Sequence, residues 1–562
     1  MIRIGTLFLA LIVATRVFGA NAITPIALPY SSTLRPPGGS DYWHDLRIPS
    51  IDNQGNVAFR GYVGAPDSSD GFNSAYRTSS DRYIAQAGAQ APGLANGIIF
   101  DSLTNLRINP QGPAAFLGHV TIDARQAAGI WAENADGTLR LVALDGTQPP
   151  GVSDGVTLRS FEDQIVDAAL SRLPPLFTIN GRGETAFYSE LDLPGAPMPT
   201  SGIWSEGGGQ GLRLVARTGM PAPQFQEGAR FCCFEMDVPM VPINNRGMTT
   251  FVARVEGPGI NNGLALGVFV DDPSRGLLVA GRGGEQPPGL SPGSSFGSFS
   301  SPRLNNAGQI VFAATFEGIE AGATAGNGIW SGLPDDLHLV ARTGGAAPGV
   351  EGTFSQISPW TPPLINGQGR VAFTAAITGP GVNEFNDTGI WAQDAEGRLQ
   401  LVVREGDLGE QDNFLSFSQV IYFNKRGQLA FTANSGIWAT DLAGTIHRIV
   451  RKDDLLPWLS SMGYAYGMFP STGNEDGLGT SFNDRGEFTF LAHTSYRGIG
   501  VFLSRAVAVP EPGSTTLAIG GLLVWAGVRR AANGKRRWGR ERKIFSCGGP
   551  GACGRGRVSP VT

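Results

Sequence analysis

Asn305-Asn-Ala-Gly-Gln-Ile-Val-Phe-Ala-Ala-Thr315 is the stretch whose reading decides the fold. Asn followed three residues later by Gly suits a type I turn closed by a left-handed residue, the hairpin with a G1 bulge. Ile310 to Thr315 then alternates as a strand does. The same pattern starts at Asp52, Asn109, Asn180, Asn244, Asn305, Asn366, Asn424 and Asn483. Gly follows three positions later at Gly55, Gly112, Gly183, Gly247, Gly308, Gly369, Gly427 and Gly486. Phe follows seven positions later at Phe59, Phe116, Phe187, Phe251, Phe312, Phe373, Phe431 and Phe490. The intervals run from 57 to 71 residues, so the chain holds eight copies of one unit.

Two more strands follow in each unit. The third carries an aromatic residue: Tyr76, Trp131, Trp204, Phe269, Trp330, Trp391, Trp438 and Phe502. The fourth reads Leu-x-Leu-Val-Ala-Arg or close to it, as in Leu337–Arg342 and Leu399–Arg404. Tight polar turns such as Ala135-Asp-Gly137 separate them. Four antiparallel strands joined by hairpins make one propeller blade, so the expected fold is all-β: a β-propeller of eight four-stranded blades. The last unit ends after its third strand, near Phe502–Arg505. The segment Thr24–Tyr30 looks like the missing fourth strand. Closure by that N-terminal strand is therefore expected, and it removes an open sheet edge. The alternatives are an open solenoid, or seven blades plus an irregular unit.

Composition agrees. Glycine is 80 of 562 residues and charged residues are 16%, as short strands between Gly/Pro turns require. Hydrophobic residues are 41%, enough for a large core. The net charge is −5, which gives no support for nucleic-acid binding. Four cysteines exclude a framework of several disulfides: Cys232 and Cys233 are adjacent, and Cys547 and Cys553 lie near the end. The adjacent pair reads as two thiols or as a strained vicinal disulfide.

The two ends carry their own signals. Residues 1–22 read as a secretory signal peptide, with Arg3, the apolar run Leu7–Val13 and the small-x-small site Ala20-Asn-Ala22. Residues 23–505 form the eight-repeat body. Residues 506–530 hold Pro510-Glu511-Pro512, the apolar stretch Leu517–Val528, then Arg529 and Arg530; this reads as a transmembrane helix with a positive-inside stop. Residues 531–562 read as a disordered basic tail. The order of parts in 506–530 resembles the PEP-CTERM sorting signal of Gram-negative bacteria that make exopolysaccharide. That resemblance implies recognition by an exosortase-type membrane protease and a place in the envelope, at the cell surface or in the extracellular matrix. The tail past the arginines departs from the family's pattern. The repeat itself resembles the exported family named for its tandem NxxGxxAF motif. This second likeness covers about Thr24 to Arg505 and implies location and architecture, not chemistry.

Catalytic signals are sparse. The aromatic columns read as core rather than as a sugar-stacking platform. Gly293-Ser-Ser-Phe-Gly297 matches a nucleophile pattern but lacks the strand-turn-helix setting. The five histidines, His44, His119, His338, His447 and His493, show no ligand spacing. No cofactor is expected. Calcium is a weak reading of Asp271-Asp272 and of Asn474-Glu-Asp-Gly477, which are more simply turns. Arg217, Arg282, Arg342 and Arg404, with Arg451, recur at matching ends of fourth strands. They could meet an acidic polysaccharide, although rim arginines are more often solvated or ion-paired.

Topology puts the Asn-x-x-Gly and Asp-Gly turns on one face. The connections between second and third strands share the other face with the linkers between blades. Ser189–Ser201, Glu256–Leu266, Glu317–Asn327 and Thr378–Thr388 read as long, variable loops there, the place for recognition. The expectation is a non-enzymatic propeller of the surface or matrix, either binding exopolysaccharide or surface proteins or serving as a purely structural spacer. A polysaccharide lyase or glycosidase on the long-loop face is the alternative.

Overall fold

The computed structural model describes residues 23–508 except 39–40, 66–70, 80–81, 160, 162–176, 194–199, 235–240, 261–264, 321–322, 359–361, 408–413, 415, 435, 452–462, 465–472 and 495–497. The described residues form eight antiparallel sheets, one per repeat. Blade 2 is typical: Phe100–Ile108, Ala114–Ile122, Arg125–Glu133 and Leu139–Leu144 pair in that order. In blades 1, 3, 5 and 6 the first strand is split into two pieces on one partner, so those sheets count five strands rather than the expected four. Blade 5 shows this with Ser295–Phe299 and Arg303–Leu304, both paired to Ile310–Glu320.

Closure follows the expectation. Ile23–Ala27 pairs antiparallel with Gly498–Ser504, with Thr24 opposite Leu503 and Pro25 opposite Phe502. Blade 8 is therefore built from both ends of the body. The hydrophobic clusters trace the ring. Each joins two successive blades, and the last joins blade 8 to blade 1 through Ala27, Trp43, Phe59, Leu491 and Val501. Stacking blade on blade buries both faces of every inner strand, the condition for short strands to be stable together.

The aromatic columns form that core. All eight repeat Phe residues lie directly opposite the aromatic residue of the third strand, from Phe59–Tyr76 to Phe490–Phe502. In several blades a ring from the first strand meets the pair edge-on, as Phe354 meets Trp391 at 5.0 Å and Phe296 meets Trp330 at 4.8 Å. Such geometry adds to the large area each ring buries. Four of the third-strand tryptophans spend their one donor on chain connectivity, whereas Trp438 donates to the Ala433 carbonyl of its own blade. Trp131, Trp204, Trp330 and Trp391 give their indole N–H to the carbonyls of Pro92, Pro150, Pro288 and Pro348, in the linkers between blades, at 2.9–3.1 Å.

The long-loop face is smaller than the sequence suggests. Blade 5 continues its strands to Glu320 and from Ala323, so most of Glu317–Asn327 is paired strand. Ser189 lies inside Thr185–Asp192. Pairing satisfies backbone groups that an irregular loop would leave to water, and the hairpin extends accordingly.

Candidate functional site

At the axis, the repeat asparagine does two jobs. Its turn is the expected one. In blade 5 the Asn305 N–H donates to the Gln309 carbonyl and the Gly308 N–H to the Asn305 carbonyl, at 3.0 and 3.1 Å. All eight turn glycines have φ between +77° and +121°, where other residues are strained. The side-chain oxygen of Asn305 accepts from the Ala307 and Gln309 amides. The second job was not read from sequence. Nδ2 of each asparagine donates to the next blade: Asn180 to Asn244, Asn244 to Asn305, Asn305 to Asn366, Asn366 to Asn424 and Asn424 to Asn483, all to backbone carbonyls at 2.8–3.1 Å. Asn483 continues to the Asp52 carbonyl at 2.8 Å, and Asn109 reaches the Ile179 carbonyl at 2.7 Å. Asp52 has no such donor, and the Asn53 backbone N–H bridges to the Pro110 carbonyl instead. The eight blades are thus laced in a closed circle of buried hydrogen bonds.

The residue after the asparagine adds links between neighbouring turns over part of the ring. The Gly181 N–H donates to Asn245 Oδ1, Asn245 to Asn306 Oδ1, Lys425 to Asp484 Oδ1 and Asp484 to Asn53 Oδ1, at 2.6–2.8 Å. Asn53, Asn245, Asn306, Lys425 and Asp484 are among the residues that bound an axial cavity of about 90 Å³ on the short-turn face. That is well under the roughly 300–1,000 Å³ of small-molecule sites.

Asn474-Glu-Asp-Gly477 is not the plain turn that the sequence suggested. It crosses the axis. The Gly477 carbonyl accepts from Ile179 N–H of blade 3, and the Asp476 carbonyl accepts from Ile243 N–H of blade 4. The Asp476 carboxylate pairs with Arg303 of blade 5 at 2.7 Å, both side chains almost fully buried. Glu475 accepts from the Asn306 N–H, and Asn474 donates to the Phe423 carbonyl. One segment of blade 8 therefore ties four other blades, with Lys425 of blade 7 also 3.7 Å from Glu475.

The other acidic pair is also engaged. Asp271 pairs with Arg213 of the preceding blade, and Asp272 caps the turn at Ser274. Hydrogen bonds from Ser274, against its own burial, hold Asp272 below the usual carboxylate range. Among the described residues no group of three His, Cys, Asp or Glu is placed to hold a metal ion. Ser295 of the nucleophile-like pattern begins a first strand rather than lying in a linker.

The recurrent arginines occupy one register position. Arg217, Arg282, Arg342, Arg404 and Arg451 lie opposite Gly202, Gly267, Gly328, Gly389 and Gly436. A side chain at Gly202, Gly328 or Gly389 would strike the ring of Trp204, Trp330 or Trp391. Arg217 and Arg342 donate to the carbonyl of the next residue, and Arg404 to Asn386. Arg282 differs. It stacks 5.1 Å over Phe225, pairs with Glu285 at 2.9 Å and reaches the Gln224 carbonyl.

Arg282 lines a groove of about 450 Å³ on the long-loop side of blade 4. The walls are Arg254 and Leu266 of blade 4, Gly283 and Glu285 of the linker after it, Phe225 of the linker before it, and Phe296 and Gly297 of blade 5. A second groove of about 500 Å³ lies at the seam of blades 5 and 6 on the turn face, with His338, Arg370 and Glu396. Arg254, Gly283 and Glu285 escaped sequence reasoning, and Gly297 was read only as part of the nucleophile-like pattern.

Cys232 and Cys233 sit in the first strand of blade 4 at a register shift between Phe231 and Cys233, with their sulfurs 2.8 Å apart. Both are free thiols. Burial first, and then the contact with Cys233, push the Cys232 thiol up to about 12. The signal peptide 1–22, the apolar stretch Leu517–Val528 and the residues Pro510, Glu511, Pro512, Arg529 and Arg530 lie outside the described residues.

A family model described as a family of unknown function (DUF7453) matches residues 28–195 and again 169–516. No curated protein matches the sequence. Among solved structures, the Dos1 propeller is 8% identical over 86% of this chain and 95% of that one, with a TM-score of 0.32. The acylaminoacyl peptidase of Pyrococcus horikoshii is 12% identical over 72% of this chain and 51% of that one, with a TM-score of 0.32. The α-L-arabinanase of Penicillium chrysogenum, complexed with arabinobiose, is 10% identical over 60% and 97%, with a TM-score of 0.27. At these scores the likenesses bear on neither activity nor ligand.

Proposed function

Taking as premise that the chain belongs to the family of unknown function DUF7453, we propose that it is an exported, non-enzymatic propeller of the cell surface or extracellular matrix that binds exopolysaccharide. One observation carries the binding half of this reading. Among the described residues, the cavity at the axis on the turn face is about 90 Å³, whereas grooves of about 450 and 500 Å³ lie at seams between neighbouring blades. Grooves at blade seams suit a long polymer lying across the ring, because neither end of the polymer has to enter a pocket. The export half rests on the signal-peptide pattern of Met1–Ala22 and on the order Pro510-Glu511-Pro512, apolar stretch, Arg529-Arg530. In this reading an exosortase-type protease is the partner of the tail, and the membrane holds the chain through Leu517–Val528 until processing.

Affinity electrophoresis of the purified full chain tests the binding half, in gels cast with polygalacturonate, alginate or neutral dextran. Retardation without loss of polymer length supports a binding protein. No retardation in any gel overturns it, and shortening of the polymer makes the protein a polysaccharide-active enzyme instead.

A further inference from the structure

Adjacent residues of a regular strand point their side chains to opposite faces of the sheet. Two neighbouring cysteines in such a strand cannot touch. Cys232 and Cys233 do, with their sulfurs 2.8 Å apart. The cause is the register shift in the first strand of blade 4. Phe231 lies opposite Val255 and Cys233 opposite Arg254, so Cys232 is the extra residue. A bulge of this kind bends its strand and re-aims the side chains at it. Similar shifts follow the first-strand aromatic in blades 2, 5 and 6, after Phe100, Phe296 and Phe354. The next residues there are Asp101, Gly297 and Ser355, so the bulge belongs to the repeat and the thiols to blade 4.

We propose that Cys232 and Cys233 form a redox site: a dithiol that closes to a vicinal disulfide by exchange with a small-molecule disulfide and reopens with a small-molecule thiol. Both thiols are half-buried, so neither is sealed in the core. The chemistry balances in two exchanges. The Cys233 thiolate attacks the small disulfide, forms a mixed disulfide and expels one thiolate, which takes up the proton that Cys233 lost. Cys232 then gives up its proton, and its sulfur displaces the second small thiolate from Cys233. One S–S bond is lost and one is gained, the pair is oxidised by two electrons, and two small thiols leave. The order follows from burial. Desolvation first, and then the contact with Cys233, push the Cys232 thiol up to about 12, so Cys233 attacks first. Capping Cys233 removes the thiol contact that helped to hold Cys232 protonated, which readies Cys232 for the second exchange. The closed ring is the smallest that two cysteines can make. It constrains the unfolded chain least of any disulfide, so the pair serves reversible exchange better than it serves stability.

The test uses the full chain carrying Cys547→Ser and Cys553→Ser, which removes the other two thiols. The native protein is held in a glutathione disulfide buffer at pH 8, quenched with acid and mapped by peptide mass. Tryptic peptide 231–246 should lose two hydrogens, carry no glutathione and return to the dithiol in dithiothreitol. The ratio of ring to glutathione adduct should be about tenfold or more higher in the native protein than in the urea-unfolded chain, because the bulge sets the sulfurs in place beforehand. Cys232→Ser should accumulate glutathione on Cys233, and Cys233→Ser should take it up about tenfold more slowly. Stable adducts on the native pair, a ring no more abundant than in the unfolded chain, or links only between molecules overturn the site. Native thiols that stay unmodified while the unfolded chain oxidises overturn it as well. Equal uptake by the two single variants overturns the order of attack.

Discussion

Asn244→Asp separates the two jobs of the repeat asparagine. Asn244 is fully buried. Its Oδ1 accepts from the Arg246 and Met248 amides at 2.9 and 3.0 Å, and its Nδ2 donates to the Asn305 carbonyl at 2.8 Å. Aspartate keeps the shape and the accepted bonds but sets an oxygen against that carbonyl. A protonated acid can still donate there; an ionised one cannot. Burial and the facing carbonyl therefore raise the folded-state pKa above the unfolded value of about 3.9. The sign is that of a raised acid. The variant stays close to the unaltered protein below about pH 4 and loses stability as pH rises toward the folded-state pKa, by about 3–5 kcal/mol in all. Over roughly 490 residues, a melting entropy of about 2 cal/mol/K per residue gives about 1 kcal/mol/K, so the melting temperature should fall about 3–5 °C near pH 7.5. Scanning calorimetry of both proteins at pH 4 and pH 7.5 reads this directly. A variant that melts with the unaltered protein at both pH values refutes the lacing role. A loss of equal size at both would assign the cost to the turn alone.

Other outcomes follow from the same contacts. Trp391→Phe should cost about 2–3 kcal/mol in chemical denaturation, because it leaves a gap in a fully buried site and strands the Pro348 carbonyl; a cost under about 0.5 kcal/mol would contradict the pinning of linkers by indoles. Asp476→Asn should cost about 3–5 kcal/mol by leaving Arg303 buried beside a neutral amide, with the double change Arg303→Met, Asp476→Leu recovering much of it; an additive double change would deny the pair. Cys232 in the reduced, native protein should react with iodoacetamide far more slowly at pH 8 than after unfolding, because a thiol pushed up to about 12 carries almost no thiolate there. Equal native and unfolded rates, read by mass spectrometry of the labelled peptide, would show the thiol to be unperturbed.

The parts legible in sequence are those whose cause is local or periodic. A turn needs Asn and Gly at fixed spacing, and a blade needs aromatics on one face of adjacent strands, so eight copies announce themselves. The lacing by Nδ2 was hidden because its partner lies about one repeat away and neither residue changes type to mark it; only the preference for Asn over Asp hinted that a donor was wanted. Asn474–Gly477 was misread because a polar tetrapeptide rich in turn formers looks the same whether solvated or spanning an axis. The split of the first strand and the extension of the blade 5 hairpin come from tertiary packing around the axis, which strand patterning does not record.

Closure of the ring by the two ends of the body is the claim on which the blade count, the faces and the grooves all depend. Ile23 and Ser504 are Cα partners across that seam, and antiparallel partners lie about 4.5–5.5 Å apart, within disulfide reach. Ile23→Cys combined with Ser504→Cys, oxidised and mapped by peptide mass spectrometry, should yield one linked peptide within a monomer. Recovery of both new thiols unlinked, or linked only between molecules, would contradict the closed ring.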